Sequence, residues 1–171
     1  MILQRYIFIL LCLGALLLTL GSTSCNNGPD IPDSPSLSFT GMDKDTIRQS
    51  IGTDESFVIS LRIEDGDGDI GNEGDSLFNL FIIDSRTGQD YDQPVQIPTL
   101  PEGLSQNGVI IDAELRLFAT CCIFPDGTFP CETSDEFPLD SLQLDITIQD
   151  RAGNMSNTVT SDFLYIRCDE I

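Results

Sequence analysis

The chain contains no histidine and a single lysine, Lys44. Without an imidazole, the usual serine and cysteine nucleophile systems lack the base that activates them. Basic residues of any kind are scarce: eight Lys and Arg stand against 28 Asp and Glu, a formal net charge of −20. No basic patch can form against that background, which excludes nucleic acid as a partner and makes direct adsorption to anionic lipid equally unfavourable. Paired carboxylates of the glycosidase kind are compatible with so many acids, but nothing in the sequence marks one of them as a raised-pKa acid. The expectation is therefore a protein that is not an enzyme. A membrane-spanning run is missing too, because the apolar stretch from Ile7 to Leu20 has 14 residues where a spanning helix needs about 20.

That short apolar run follows Arg5 and precedes Gly21, Ser22, Thr23, Ser24 and Cys25. The order of charge, apolar core and small polar residues is that of a secretory signal peptide, residues 1–24. Cys25 then stands where a bacterial lipoprotein is cut and acylated; the alternative is an ordinary signal cut near Ser24 with Cys25 incidental. From Asn26 to Ser36 the chain reads NNGPDIPDSPS, with Pro29, Pro32 and Pro35 at every third position. Such a composition buries no core and favours an extended spacer, so residues 25–36 are expected to be a lipidated cysteine and tether. Removal of Arg5 with the signal leaves 7 − 28 = −21, a charge that keeps the surface hydrated.

Residues 37–171 have the length of one domain with one core. Ser56 to Asp65 alternates, with Phe57, Ile59, Leu61 and Ile63 on one face and Val58, Ser60, Arg62 and Glu64 on the other. Leu142, Leu144, Ile146 and Ile148 repeat the pattern, and a period of two with one apolar face is a half-buried strand. Further strands are expected at Leu37 to Phe39 together with Thr46 to Ile51 as the first, and then at Leu77 to Asp84, Tyr91 to Ile97, Val109 to Thr120 and Thr158 to Ile166. No amphipathic helical stretch follows the signal. About seven short strands separated by turn residues predict an all-β fold, an antiparallel immunoglobulin-like β-sandwich.

Directly behind the first secure strand comes DGDGDIG, with Asp65, Asp67 and Asp69 at alternate positions and glycines between them. Glycine lets the backbone fold tightly enough for carboxylates to converge. Three carboxylates about 5 Å apart repel by roughly 1 to 3 kcal/mol per pair, so a compact loop calls for a cation. In an immunoglobulin-like order the loop after the second strand lies at the same end as the loop after the sixth, which reads QDRAGNMSN. Asp150 thus falls beside the Asp65 loop, and oxygens from both loops can assemble a calcium site. An EF-hand does not fit, because Ile70 falls where that loop needs glycine and Ser76 where it needs a bidentate glutamate. The alternative is a hydrated Asp-Gly turn.

Besides Cys12 and Cys25 there are Cys121, Cys122, Cys131 and Cys168. In an exported chain without histidine these read as two disulfides rather than a zinc site, since adjacent Cys121 and Cys122 rarely ligate one tetrahedral ion together. If strand parity continues from Leu115, Leu117 and Ala119, Cys121 points inward and Cys122 outward. The preferred pairing among three is then Cys122 with Cys131 and Cys121 with Cys168.

Three pieces together, DGDGDIG after a strand, CCIFPDGTFPC in a later excursion and QDRAGNMSN before the last strand, carry a resemblance. From signal to Arg167 the chain resembles the Asp-rich-loop lipoproteins that bacteria of the Bacteroidota export to the outer envelope, and ITIQDRAGNMSNTVT is similar to the closing strands of bacterial immunoglobulin-like domains. The resemblance implies a lipid-anchored outer-membrane protein with a sandwich domain and supplies no activity. The expected partners are the membrane, through the N-terminal lipid, and an envelope protein or glycan. A broad apolar patch on one sheet would indicate a protein, and a loop-end pocket with Tyr91, Phe124 or Phe129 a small or sugar ligand; these aromatics read more simply as core or cystine-loop packing.

Overall fold

The alternating rows of the sequence become the inner faces of strands. The computed structural model describes residues 31–71, 79–91, 93, 95–100 and 108–171. The expected signal peptide and Cys25 lie outside the described residues. The described residues form ten strands and no helix: β1 (Ser36–Met42), β2 (Thr46–Arg48), β3 (Ser56–Asp65), β4 (Leu80–Asp84), β5 (Gln89–Asp90), β6 (Val109–Phe118), β7 (Leu139–Leu142), β8 (Leu144–Ile148), β9 (Val159–Thr160) and β10 (Leu164–Arg167). They form three sheets in the orders β1-β3-β6, β2-β10-β7 and β5-β4-β8-β9. Every strand pair is antiparallel except β2 with β10. The architecture is all-β and consistent with a β-sandwich.

Phe57, Ile59, Leu61 and Ile63 of β3 and Leu142, Leu144, Ile146 and Ile148 of β7 and β8 are all buried, in one apolar cluster fed by all three sheets. Each such side chain contributes about 1.5 to 3 kcal/mol by leaving water. Other stretches depart from the alternation. Among the described residues of the expected strand Tyr91 to Ile97, Val95 forms an isolated bridge with Leu80 and no named strand is present. Thr158 to Ile166 splits, with β9 on β8 and β10 between β2 and β7. The break falls at Ser161, whose hydroxyl accepts from Leu144 N at 2.9 Å and so ends the pairing with β8.

Register fixes which ends lie together. Asp65 pairs with Val109 at one end of the β3/β6 ladder and Ser56 with Phe118 at the other. On β4 and β8, Leu80 pairs with Ile148 and Asp84 with Leu144. The ends of β3 and β8 therefore carry Asp65 and Asp150 to one end of the domain, while Asp84 goes to the opposite one.

The disulfides correct the expected pairing: the bonds are Cys121–Cys131 and Cys122–Cys168, with Cα separations of 4.9 and 5.9 Å. Strand parity fails because β6 ends at Phe118, and beyond Ala119 the backbone no longer alternates. Cys122 rather than Cys121 turns into the core. The fully buried Gln49 holds it there, donating to Cys168 O at 2.9 Å and accepting from Cys122 N at 3.4 Å. Closure of the 46-residue separation is worth about 4 kcal/mol, against about 3 kcal/mol for the separation of 10. Urea denaturation of Cys122→Ala/Cys168→Ala is accordingly expected to show the larger loss, and Cys121→Ala/Cys131→Ala the smaller; the reverse order would contradict the observed pairing.

Candidate metal centre

Asp65 continues the inward row of β3, and Asp150 stands two residues beyond Ile148, one step further along the inward row of β8. Both carboxylates thus point where an apolar side chain would be expected: Asp65 is 0% exposed and Asp150 4%. Asp69 comes back to them from the glycine-rich loop, and one oxygen from each of Asp65, Asp69 and Asp150 lies within 4.8 Å of the others. Two oxygens that share one metal ion at bond lengths of about 2.0 to 2.4 Å can be no more than about 4 to 4.8 Å apart, so the cluster is compact enough to hold a divalent ion without selecting which one.

The loop geometry explains the convergence. Gly66 lies so close to the incoming chain that a Cβ there would overlap the Ile31 and Pro32 carbonyl oxygens. Gly71 has a φ of +94° and packs on the Pro98 carbonyl, so it also leaves no room for a side chain. Between them the chain turns back, and Asp69 meets the loop after β8: its Oδ2 accepts from Ala152 N at 3.0 Å and its backbone carbonyl from Arg151 N at 3.4 Å. Asp150 is oriented by Asn154, whose backbone N–H and side-chain amide donate to its two oxygens at 2.7 and 2.8 Å. Asp67 is exposed and stays outside the cluster, accepting from Asp69 N at 3.4 Å.

Satisfaction of the oxygens singles this place out. Among the described residues four buried side-chain polar atoms have no hydrogen-bond partner, and three of them are Asp65 Oδ1, Asp65 Oδ2 and Asp69 Oδ1. The fourth is Thr99 Oγ1, on the segment against Gly71. A buried carboxylate without donors is strongly unfavourable unless it is protonated or meets a cation. Burial, and after it the charges of Asp67 and Asp69, push the Asp65 carboxyl up to about 6. Asp69 is raised by burial and by Asp150 and Asp67.

The opposite end shows how the same fold treats a buried aspartate when it has a cation of its own. Asp84 ends the inward row of β4 and is met by Arg86 at 2.7 Å, which also reaches Asp140 at 2.6 Å. No Lys or Arg forms an ion pair with Asp65, Asp69 or Asp150 among the described residues. Sequence reading missed the Arg86 pair of bridges; the signal was Asp84 in phase with Leu80 and Ile82. It also missed the burial of Asp65, which the parity of Phe57 to Ile63 contained.

A cleft of about 700 Å³ lies beside Arg86, with Tyr91, Phe118 and Phe129 among its lining. Its polar walls are internally bonded, since Tyr91 Oη donates to Phe118 O at 2.6 Å and Gln93 holds both polar groups of the Phe118 backbone. Of the aromatics considered for a ligand pocket, Tyr91 is buried, Phe124 packs edge-on against Phe137 at 5.7 Å and Phe129 alone is largely exposed.

Fold and site together define an all-β, acidic, disulfide-bonded domain with a buried carboxylate cluster at one end that could hold a metal ion. No protein-family model, no curated protein and no solved structure matches the chain.

Proposed function

We propose that this protein is a non-catalytic, exported binding or adhesion module of the bacterial outer envelope, anchored by lipid on Cys25 and stiffened by calcium at Asp65, Asp69 and Asp150. The domain is taken as an immunoglobulin-like sandwich, a reading supported by the placement of the loops after β3 and β8 at one end. The observation that carries the calcium assignment is the fully buried, donor-free Asp65 carboxylate within reach of two more carboxylates. Calcium titrated calorimetrically into metal-free protein should give saturable binding below 10 mM, because exported calcium modules often bind at roughly 0.1 to 1 mM. Absence of any binding heat at 10 mM would overturn the assignment.

The anchor is tested separately. Cys25→Ala should move the protein from the membrane fraction to the soluble periplasm and end palmitate labelling; labelling that survives the change would sink the lipoprotein reading.

A second reading, an accessory subunit of a larger envelope complex, is favoured by Phe163 and Tyr165. These rings stack at 6.5 Å and are 52% and 41% exposed, on the same side of the domain as exposed Leu139. Aromatic rings left in water in this way suit a protein contact.

A further inference from the structure

The two loops that present the carboxylates also hold the chain where it enters the domain. Pro32 O accepts from Gly66 N at 2.8 Å, and Gly66 directly follows Asp65. Asn157, in the loop that begins at Asp150, grips the Leu37 backbone from both sides: its Oδ1 accepts from Leu37 N at 2.9 Å and its Nδ2 donates to Leu37 O at 3.0 Å. Pro35, between these two grips, is buried. The last residues of the expected tether are thus docked on the domain, half on each loop.

Without a cation, the loops are joined by the two backbone donors that Asp69 accepts, from Arg151 and Ala152, against the mutual repulsion of three carboxylates. A divalent ion shared by Asp65, Asp69 and Asp150 reverses the sign of that interaction and draws the loops together. Holding them together secures both grips on the entering chain, at Pro32 and at Leu37, at once. Coupling of this kind is reciprocal, so whatever seats the segment also tightens ion binding.

We propose that calcium at this site fastens the N-terminal segment, residues 31–35, to the domain ahead of β1, and that its loss frees that segment. This rests on the calcium reading above. Freeing the five residues ahead of β1 releases at most roughly 17 Å of extended chain.

The test is amide hydrogen exchange on the full chain, in chelator and in 10 mM calcium, with calorimetry on the same samples. Exchange at Gly66 and Leu37 is expected to slow at least tenfold with calcium, while Gly127, which donates to Phe124 O in the cystine loop, changes much less. Gly66→Ala, which crowds the Ile31 and Pro32 carbonyls, and Asn157→Ala, which deletes the other grip, should each weaken calcium affinity severalfold. Should Gly66→Ala fail to fold, the wild-type exchange and Asn157→Ala still decide the matter. Saturable calcium binding with unchanged or uniformly slowed exchange would overturn the fastener and leave the calcium site standing. No binding at all would overturn both.

Discussion

Ile59→Asp and Ile146→Asp are each expected to give a chain that does not fold, whereas Val58→Asp and Thr147→Asp, one residue away, fold with modest losses. Ile59 and Ile146 are 0% exposed, in the middle of β3 and β8. Replacing either removes a fully buried side chain, worth about 2 to 5 kcal/mol including the cavity, and adds a polar group with no partner, worth several more. The sum reaches the total stability of an ordinary domain, about 5 to 15 kcal/mol. At the neighbouring positions the side chain faces outward. Val58 lies opposite Arg116 in the register, so an aspartate there gains an opposite charge across the strands. Circular dichroism and urea titration of the four variants check this; equal damage in both phases would show that the strands are not half-buried.

The second large effect is at the carboxylate cluster. With free calcium at 100 times its dissociation constant, the native state gains about 2.7 kcal/mol, which for a domain of this size raises the thermal midpoint by roughly 8 °C. Magnesium should do less, because it demands a tighter octahedral shell and sheds water reluctantly. Asp65→Asn together with Asp69→Asn should abolish the calcium response and raise the metal-free stability by relieving repulsion. Exposed Asp67→Asn should keep most of the response, and Asp135→Asn with Glu136→Gln all of it. Loss of the response in that last pair would mean that bulk charge, not the cluster, is being screened.

Protons should act on the metal-free protein at the same place. The Asp65 carboxyl, pushed up to about 6 in the fold, returns to about 3.9 when unfolded. Between those values the native state binds the extra proton, so this group's contribution is fully favourable below about pH 4 and is lost as pH rises through about 6. Most of the loss therefore falls between about pH 4 and pH 6, and part of it between pH 5 and 7.5. In chelator, urea midpoints should therefore be higher at pH 5 than at 7.5, and Asp65→Asn should shrink the difference. An unchanged difference in that variant would assign the effect to the overall acidity.

Cross-chain geometry accounts for what sequence reading left out. Asp67 looked equivalent to Asp65 and Asp69 because all three alternate in DGDGDIG, yet the strand ends at Asp65 and the alternation has no meaning in the turn that follows. The parity that would turn Cys121 inward stops at Phe118. In both cases a period that holds only inside a ladder was carried past its last hydrogen bond. The grip of Asn157 on Leu37 spans 120 residues, and nothing local to either residue announces it.

By itself the sequence determined the strand rows, the all-β class, the placement of Asp65 and Asp150 behind two of those rows and the exclusion of imidazole chemistry, because composition and period are properties of the local chain. The tertiary structure alone decided which cysteines meet, which aspartates share a space, that Arg86 neutralises one end while no Lys or Arg among the described residues pairs with the carboxylates at the other, and that Pro32 and Leu37 are held by the same loops as the carboxylates. Those depend on where strands stop and which ends the register brings together, which the pairing of distant segments sets and no local pattern encodes.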